Sequence, residues 1–263
     1  MMRLALQAVG SRTRGALGLV GNLADLQLAI VRKAFELPRL NLRVLGRIAA
    51  SQLRFSGLQA IPIIALLAAV IGAVGIMQFV ELLTGLADDL IGQLIVTIII
   101  REMGPLITAV ILIGRSGTAM ATELGSMRLG GEFEALQAYR IDPLAFVILP
   151  RVGGMIAAMF GLIVVFDVVG VLGGAGIVLA LRGLSFSLVQ GRVAAALTNA
   201  DFGLSAVKAL AFGLAVSSLS CYFGMRVGRS PTELPQAVTR AVVSSLLAVF
   251  LLDALLAAVW VLL

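Results

Sequence analysis

Residues 90–121 read LIGQLIVTIIIREMGPLITAVILIGRSGTAMA. Apart from Arg101 and Glu102, the run carries no charge before Arg115. It is far longer than the roughly 18 apolar residues that mark a membrane-spanning helix. At a rise of 1.5 Å per residue, Arg101 and Glu102 lie roughly 16 Å inside it. Charges at that depth are costly and mark candidate functional positions. Gly104-Pro105 follows at once, and proline, which removes a helix hydrogen bond, predicts a kink beside the two charges.

Four further runs have the same character, so the spacing predicts five spans at 57–82, 90–121, 147–181, 204–226 and 240–262. The second and third exceed about 20 residues and are expected to tilt, kink or project beyond the bilayer. Of the 263 residues, 60% are hydrophobic and only 13% charged, with a mean hydropathy of +1.08. Soluble domains have about a quarter of their residues charged. The expected fold is therefore all-α, a polytopic membrane helical bundle, with residues 57–263 forming one membrane domain.

Residues 1–56 are different. They hold nine cations (Arg3, Arg12, Arg14, Arg32, Lys33, Arg39, Arg43, Arg47 and Arg54). Leu19, Val20, Leu23, Leu26, Ile30, Val31, Ala34 and Phe35 recur at helical spacing among them. This predicts an amphipathic helix lying in the membrane interface. Charges interrupt the first residues, and no apolar core leads to a small-residue cleavage site, so the start does not read as a signal peptide.

Orientation follows from the cations. With the N-terminus in the cytoplasm, that side also receives Arg115, Arg128, Arg140, Arg151, Arg226, Arg229 and Arg240. The outer side receives Arg182 and Arg192 only, and the outer loop 83–89 is acidic through Asp88 and Asp89. The positive-inside rule then places the C-terminus outside. The net charge of +6 is explained by topology, and no exposed basic face is left for nucleic acid.

The missing residues exclude chemistry. There is no histidine, which removes histidine-based zinc sites, Ser-His triads and haem ligation by His. The lone Cys221 lies in an apolar run and forms no disulfide within the chain. No metal site and no bound cofactor are expected. A P-loop needs Gly-Lys-Ser/Thr, yet neither Lys33 nor Lys208 follows a glycine. Energy for transport must come from a partner or an ion gradient. No nucleophile–base pair suggests an enzyme.

Besides Arg101 and Glu102, Asp167, Lys208 and Asp253 fall within spans. The expected pairing sets Arg101 and Lys208 against Glu102, Asp253 or Asp167. Arg101, Glu102 and Lys208 together suggest a polar patch in a cavity, where a cation meets a phosphate headgroup. The alternative is an ion-coupled secondary transporter or channel, with Glu102, Asp167 or Asp253 as a relay. The four-residue spacing of Gly153, Ala157 and Gly161, followed by Gly170, Gly173, Gly174 and Gly176, suits close helix packing within the chain.

Residues 114–151, GRSGTAMATELGSMRLGGEFEALQAYRIDPLAFVILPR, form the longest polar stretch between spans. Leu124, Met127, Phe133, Leu136 and Tyr139 give it an apolar side, ringed by Glu123, Arg128, Glu132, Glu134 and Arg140. Gly130-Gly131 predicts a break into two short helices. Such a segment between two spans suits docking of a cytoplasmic motor, because its apolar side needs cover.

This stretch resembles the MlaE-type permeases of phospholipid ABC transporters, which work with MCE proteins. The resemblance rests on Gly114-Arg115-Ser116-Gly117, Glu123-Leu124-Gly125, Met127-Arg128, Asp142-Pro143 and Pro150-Arg151. Arg101-Glu102-Met103-Gly104-Pro105 upstream, and Thr239-Arg240-Ala241-Val242-Val243 with Asp253 downstream, extend it over roughly residues 40–262. Gly130-Gly131-Glu132 replaces the family's usual T-E-Q, and Arg229 to Pro235 replaces a glycine-rich stretch.

The resemblance implies a homodimer in the bacterial inner membrane with a lipid cavity between the subunits. It implies a cytoplasmic ABC ATPase that binds the ATP, often a STAS-domain protein, and a hexameric ring of MCE-domain protein in the periplasm. Candidate phospholipid-binding residues are Arg101, Glu102, Lys208, Asp253 and Phe79. Residues 122–145 form the expected coupling segment, with Glu123, Met127, Arg128, Glu132, Phe133 and Leu136 as its contacts.

Overall fold

A computed structural model describes residues 21, 23–33, 51, 53–82, 93, 95–182, 191, 193–228 and 230–262. Among these the fold is all-α. Five helices are long and apolar enough to cross a membrane: Leu53–Gly75, Ile95–Leu129, Leu144–Gly173, Asn199–Met225 and Glu233–Leu262. The number of spans is the expected one. Several edges move: the second span runs on to Leu129 rather than 121, and the last two begin at Asn199 and Glu233 rather than 204 and 240. The expected acidic loop 83–89 and Arg192 lie outside the described residues.

We label α1 as Ile61–Leu82, α2 as Ile95–Leu129 and α3 as Glu132–Ala138. The long helix α4 is Leu149–Arg182, α5 is Asn199–Met225 and α6 is Glu233–Leu262. A helical stretch also covers residues 23–33. There Ile30 is buried in the core and Leu26 packs against it, while Leu28 and Val31 stand exposed. Lys33 Nζ lies 3.2 Å from Asp142 Oδ2 and ties the stretch to the turn before α4.

Helix α2 does not stop at the charged segment. It runs as one helix to Leu129, so the first of the two expected short helices is the end of this span. The break does come at the glycines: Gly131 takes φ +71°, a left-handed conformation natural to glycine. The expected proline kink takes another form. Residues Ile95–Met103 have widened, π-type turns, and α-helical bonding resumes over Gly104–Leu112. Met103 keeps helical dihedrals of φ −66° and ψ −41°. Pro105 thus falls in the first turn of the new register, where a missing N–H is tolerated.

Small residues set the packing. A Cβ on Gly72 of α1 would lie 2.0 Å from the Gly170 carbonyl oxygen of α4, and one on Gly173 would lie 2.9 Å from Ala69 Cα. Lower down, a Cβ on Gly224 of α5 would lie 2.8 Å from the Ala121 oxygen of α2. Backbones approach this closely only where side chains are absent. Gly153 and Gly161 behave otherwise. Nothing lies within 4 Å of a Cβ at either, and Ala157 between them is exposed. Their expected packing within the chain is not seen.

Helix α5 is the centre of the bundle. It packs on α2, α4 and α6, and its most apolar stretch is 56% buried against 17% for α6. Phe212 and Lys208 of α5 and Phe166 of α4 are among the largest fully buried side chains. A lysine in that company needs an electrostatic explanation.

Candidate functional site

Lys208 is 0% exposed, and its ammonium has three donors. Three oxygens surround it. Nζ donates to the Arg101 carbonyl at 2.7 Å and to Glu102 Oε2 at 3.0 Å. Asp253 Oδ1 of α6 lies 2.7 Å away as an ion pair, without hydrogen-bond alignment. The lysine therefore joins α5 to α2 and α6 and has no donor to spare.

The carbonyl contact has a local cause. In an α-helix the Arg101 carbonyl would accept from the residue four positions on, which is Pro105. Proline has no N–H. Arg101 itself lies in the π-type turns just before Pro105, and the ammonium of Lys208 supplies a donor to its carbonyl.

Arg101 has a different partner from those expected. Its Nε donates to Asp201 Oδ1 at 2.6 Å. Asp201 is 1% exposed and also caps its own helix. Asp201 Oδ2 accepts from the Thr198 backbone N at 2.8 Å and from its hydroxyl at 2.9 Å. This is a capping box at the start of α5. The Arg101 guanidinium stands over the Trp260 ring, 5.4 Å from its centroid, a cation–π distance. Among the described residues only its Nε is engaged, and the side chain keeps 22% exposure.

The structure thus brings Arg101, Glu102, Lys208 and Asp253 into one cluster and adds Asp201, Thr198 and Trp260. Asp201 was missed although Thr198-x-x-Asp201 before an apolar run is a readable capping signal. The side chain of Phe79 lies outside the described ones.

Asp167 does not join the cluster. Its Oδ1 is buried with no hydrogen-bond partner among the described residues, and a Cβ on Gly104 would lie 2.3 Å from it. Asp167 and Asp201 both line an apolar groove of about 360 Å³ between α4 and α5, with Ile100, Phe160, Val164 and Phe202.

At the opposite end of α2, Glu123 accepts from Arg151 Nη2 at 2.6 Å and Nε at 3.4 Å, a fork that fixes α2 against α4. Arg128 pairs with Glu134 across the glycine break. Phe133 is buried, Met127 and Leu136 are partly buried, and Glu132 is exposed. Tyr139 is 80% exposed. Helix α3 ends in a Schellman motif, with Ile141 N to Leu136 O and Arg140 N to Gln137 O, both 2.9 Å. Arg140 holds φ 58° there, the position usually given to glycine. Arg115 Nη2 donates to Gln59 Oε1 at 2.7 Å and stands over Phe55, tying α2 to the entry of α1.

The sequence as a whole is similar to those of known proteins. The sequence profile described as Permease MlaE matches residues 49–259. The intermembrane phospholipid transport system permease protein MlaE of Haemophilus influenzae is 31% identical over 79% of this chain and 80% of its own. A probable ABC transporter permease protein of Rickettsia conorii is 30% identical over 90% of each chain. The chloroplastic protein trigalactosyldiacylglycerol 1 of Arabidopsis thaliana is 29% identical over 77% of this chain and 58% of its own. With the profile covering most of its length, the chain belongs to the MlaE permease family.

Proposed function

We propose that the chain moves phospholipid across or out of the bacterial inner membrane as one half of a homodimeric permease. A separate cytoplasmic ABC ATPase supplies the energy, and a hexameric MCE-domain protein carries lipid onward in the periplasm. A STAS-domain protein is a further expected subunit. The N-terminus, with its interfacial helix, then lies in the cytoplasm and the C-terminus in the periplasm.

The observation that carries this reading is the state of Arg101. It is held at Nε by Asp201 and lies over Trp260, yet remains partly exposed with its terminal nitrogens unengaged by described residues. A guanidinium so placed is suited to phosphate oxygens. In this reading Lys208, fully buried among three oxygens, supports the site and Arg101 meets the phosphate. The lysine serves as the hub that holds Arg101 and Glu102 in place. At the other end, α3 and the turn that follows it offer Glu132, Gln137 and Tyr139 as exposed contacts for the ATPase.

Reconstitution tests the reading. In vesicles holding the complete complex, transfer of labelled phospholipid should require ATP and be indifferent to ion gradients. Asp167 favours a second reading, an ion relay, because its buried Oδ1 lacks a partner. Transport that collapses with the ion gradient and with Asp167→Asn would establish that reading instead.

A further inference from the structure

The charges of the cluster do not balance. Arg101 and Lys208 face Glu102, Asp201 and Asp253, so every cation is matched and one carboxylate is in excess. The groups also differ in access. Asp201, Asp253 and Lys208 have side chains 1%, 11% and 0% exposed, whereas Arg101 keeps 22% and Glu102 35%. The surface that a ligand meets is therefore one guanidinium and one carboxylate, backed by buried groups carrying a net negative charge.

From this arrangement we infer that the site selects a zwitterionic headgroup, one bearing both a phosphate and an ammonium, over a purely anionic one. The phosphate meets the terminal nitrogens of Arg101, and the ammonium meets Glu102. A headgroup with a phosphate and only hydroxyls satisfies Arg101 but adds a second uncompensated negative charge. Against buried groups that already carry a net negative charge, such like-charge juxtaposition is unfavourable. The carboxylate excess has a purpose in this scheme: it disfavours the wrong headgroup as well as attracting the right one. The inference rests on the reading of this cluster as the headgroup site.

The test uses the full chain, reconstituted in vesicles of equal phosphatidylethanolamine and phosphatidylglycerol and released for native mass spectrometry. Retained lipid should be enriched in phosphatidylethanolamine by about tenfold, the ratio that corresponds to 1.4 kcal/mol. Glu102→Gln, which removes the excess carboxylate and leaves Arg101 in place, should bring the ratio towards one. Retention in the vesicle proportion, or enrichment of phosphatidylglycerol, would overturn the inference while leaving the site reading intact. A ratio unchanged by Glu102→Gln would overturn it as well. Absence of any retained phospholipid would overturn the site reading, and the inference with it.

Discussion

Lys208 Nζ lies 2.7 Å from the carbonyl oxygen of Arg101, four residues ahead of Pro105. Pro105 has no N–H to offer that carbonyl, and Lys208 donates to it. Replacing Pro105 with alanine restores a backbone N–H and allows the helix ladder to reclaim the carbonyl. Lys208 then loses one of three acceptors. Pro105→Ala should raise the modification rate of Lys208 by amine reagents about tenfold, the equivalent of one charge-assisted hydrogen bond. The chain has two lysines, Lys33 and Lys208, so peptide mapping resolves the effect. An unchanged rate would separate the proline from the lysine.

Lys208 also neutralises two carboxylates from two helices. Lys208→Met leaves Glu102 and Asp253 without their cation. Breaking a buried pair from one side costs about 3–5 kcal/mol. The single variant should lose that much stability in detergent unfolding. Adding Asp253→Asn should recover a large part of the loss, because the buried charge is removed along with its partner. A double variant no more stable than the single one would contradict the pairing.

Much of this could be read from the sequence, for physical reasons that differ by residue. Long apolar runs have few alternatives to a spanning helix, so the five spans could be read from composition and length. Intramembrane charge singled out Arg101, Glu102, Lys208 and Asp253, because such residues need partners. Lys208 meets Glu102 and Asp253, two of the partners expected for it, but the partner of Arg101 was not legible. Asp201 sits at the start of α5 and had the look of a loop residue, while its actual pairing spans a sequence separation of 100. The fate of the small residues was likewise hidden. Gly72 and Gly161 look alike in sequence, yet one meets a backbone and the other meets nothing.

That contrast makes a prediction. A methyl group at Gly72 would lie 2.0 Å from the Gly170 carbonyl oxygen, with backbone on both sides unable to yield cheaply. Gly72→Ala should cost about 1–3 kcal/mol by overpacking. Gly161→Ala, with open space around it, should instead gain up to about 1 kcal/mol from helix propensity in the isolated protomer. Thermal unfolding in detergent of both variants checks the opposite signs.

Arg140 holds φ 58° at the end of α3, a conformation that costs a non-glycine residue about 1–2 kcal/mol. Arg140→Gly should therefore stabilise the protomer by about 1 kcal/mol. If ATPase binding falls in the same variant, the arginine is retained for the contact and not for the turn. Unfolding and pull-down of the same protein read the two effects separately.

The central claim is that Arg101 holds a phospholipid headgroup. Native mass spectrometry of the intact complex, wild type beside Arg101→Ala, tests it most directly. The wild type should carry phospholipid, and Arg101→Ala, with its assembly unchanged, should retain about tenfold less. A wild-type complex free of phospholipid, or an Arg101→Ala complex equally loaded, would contradict the account.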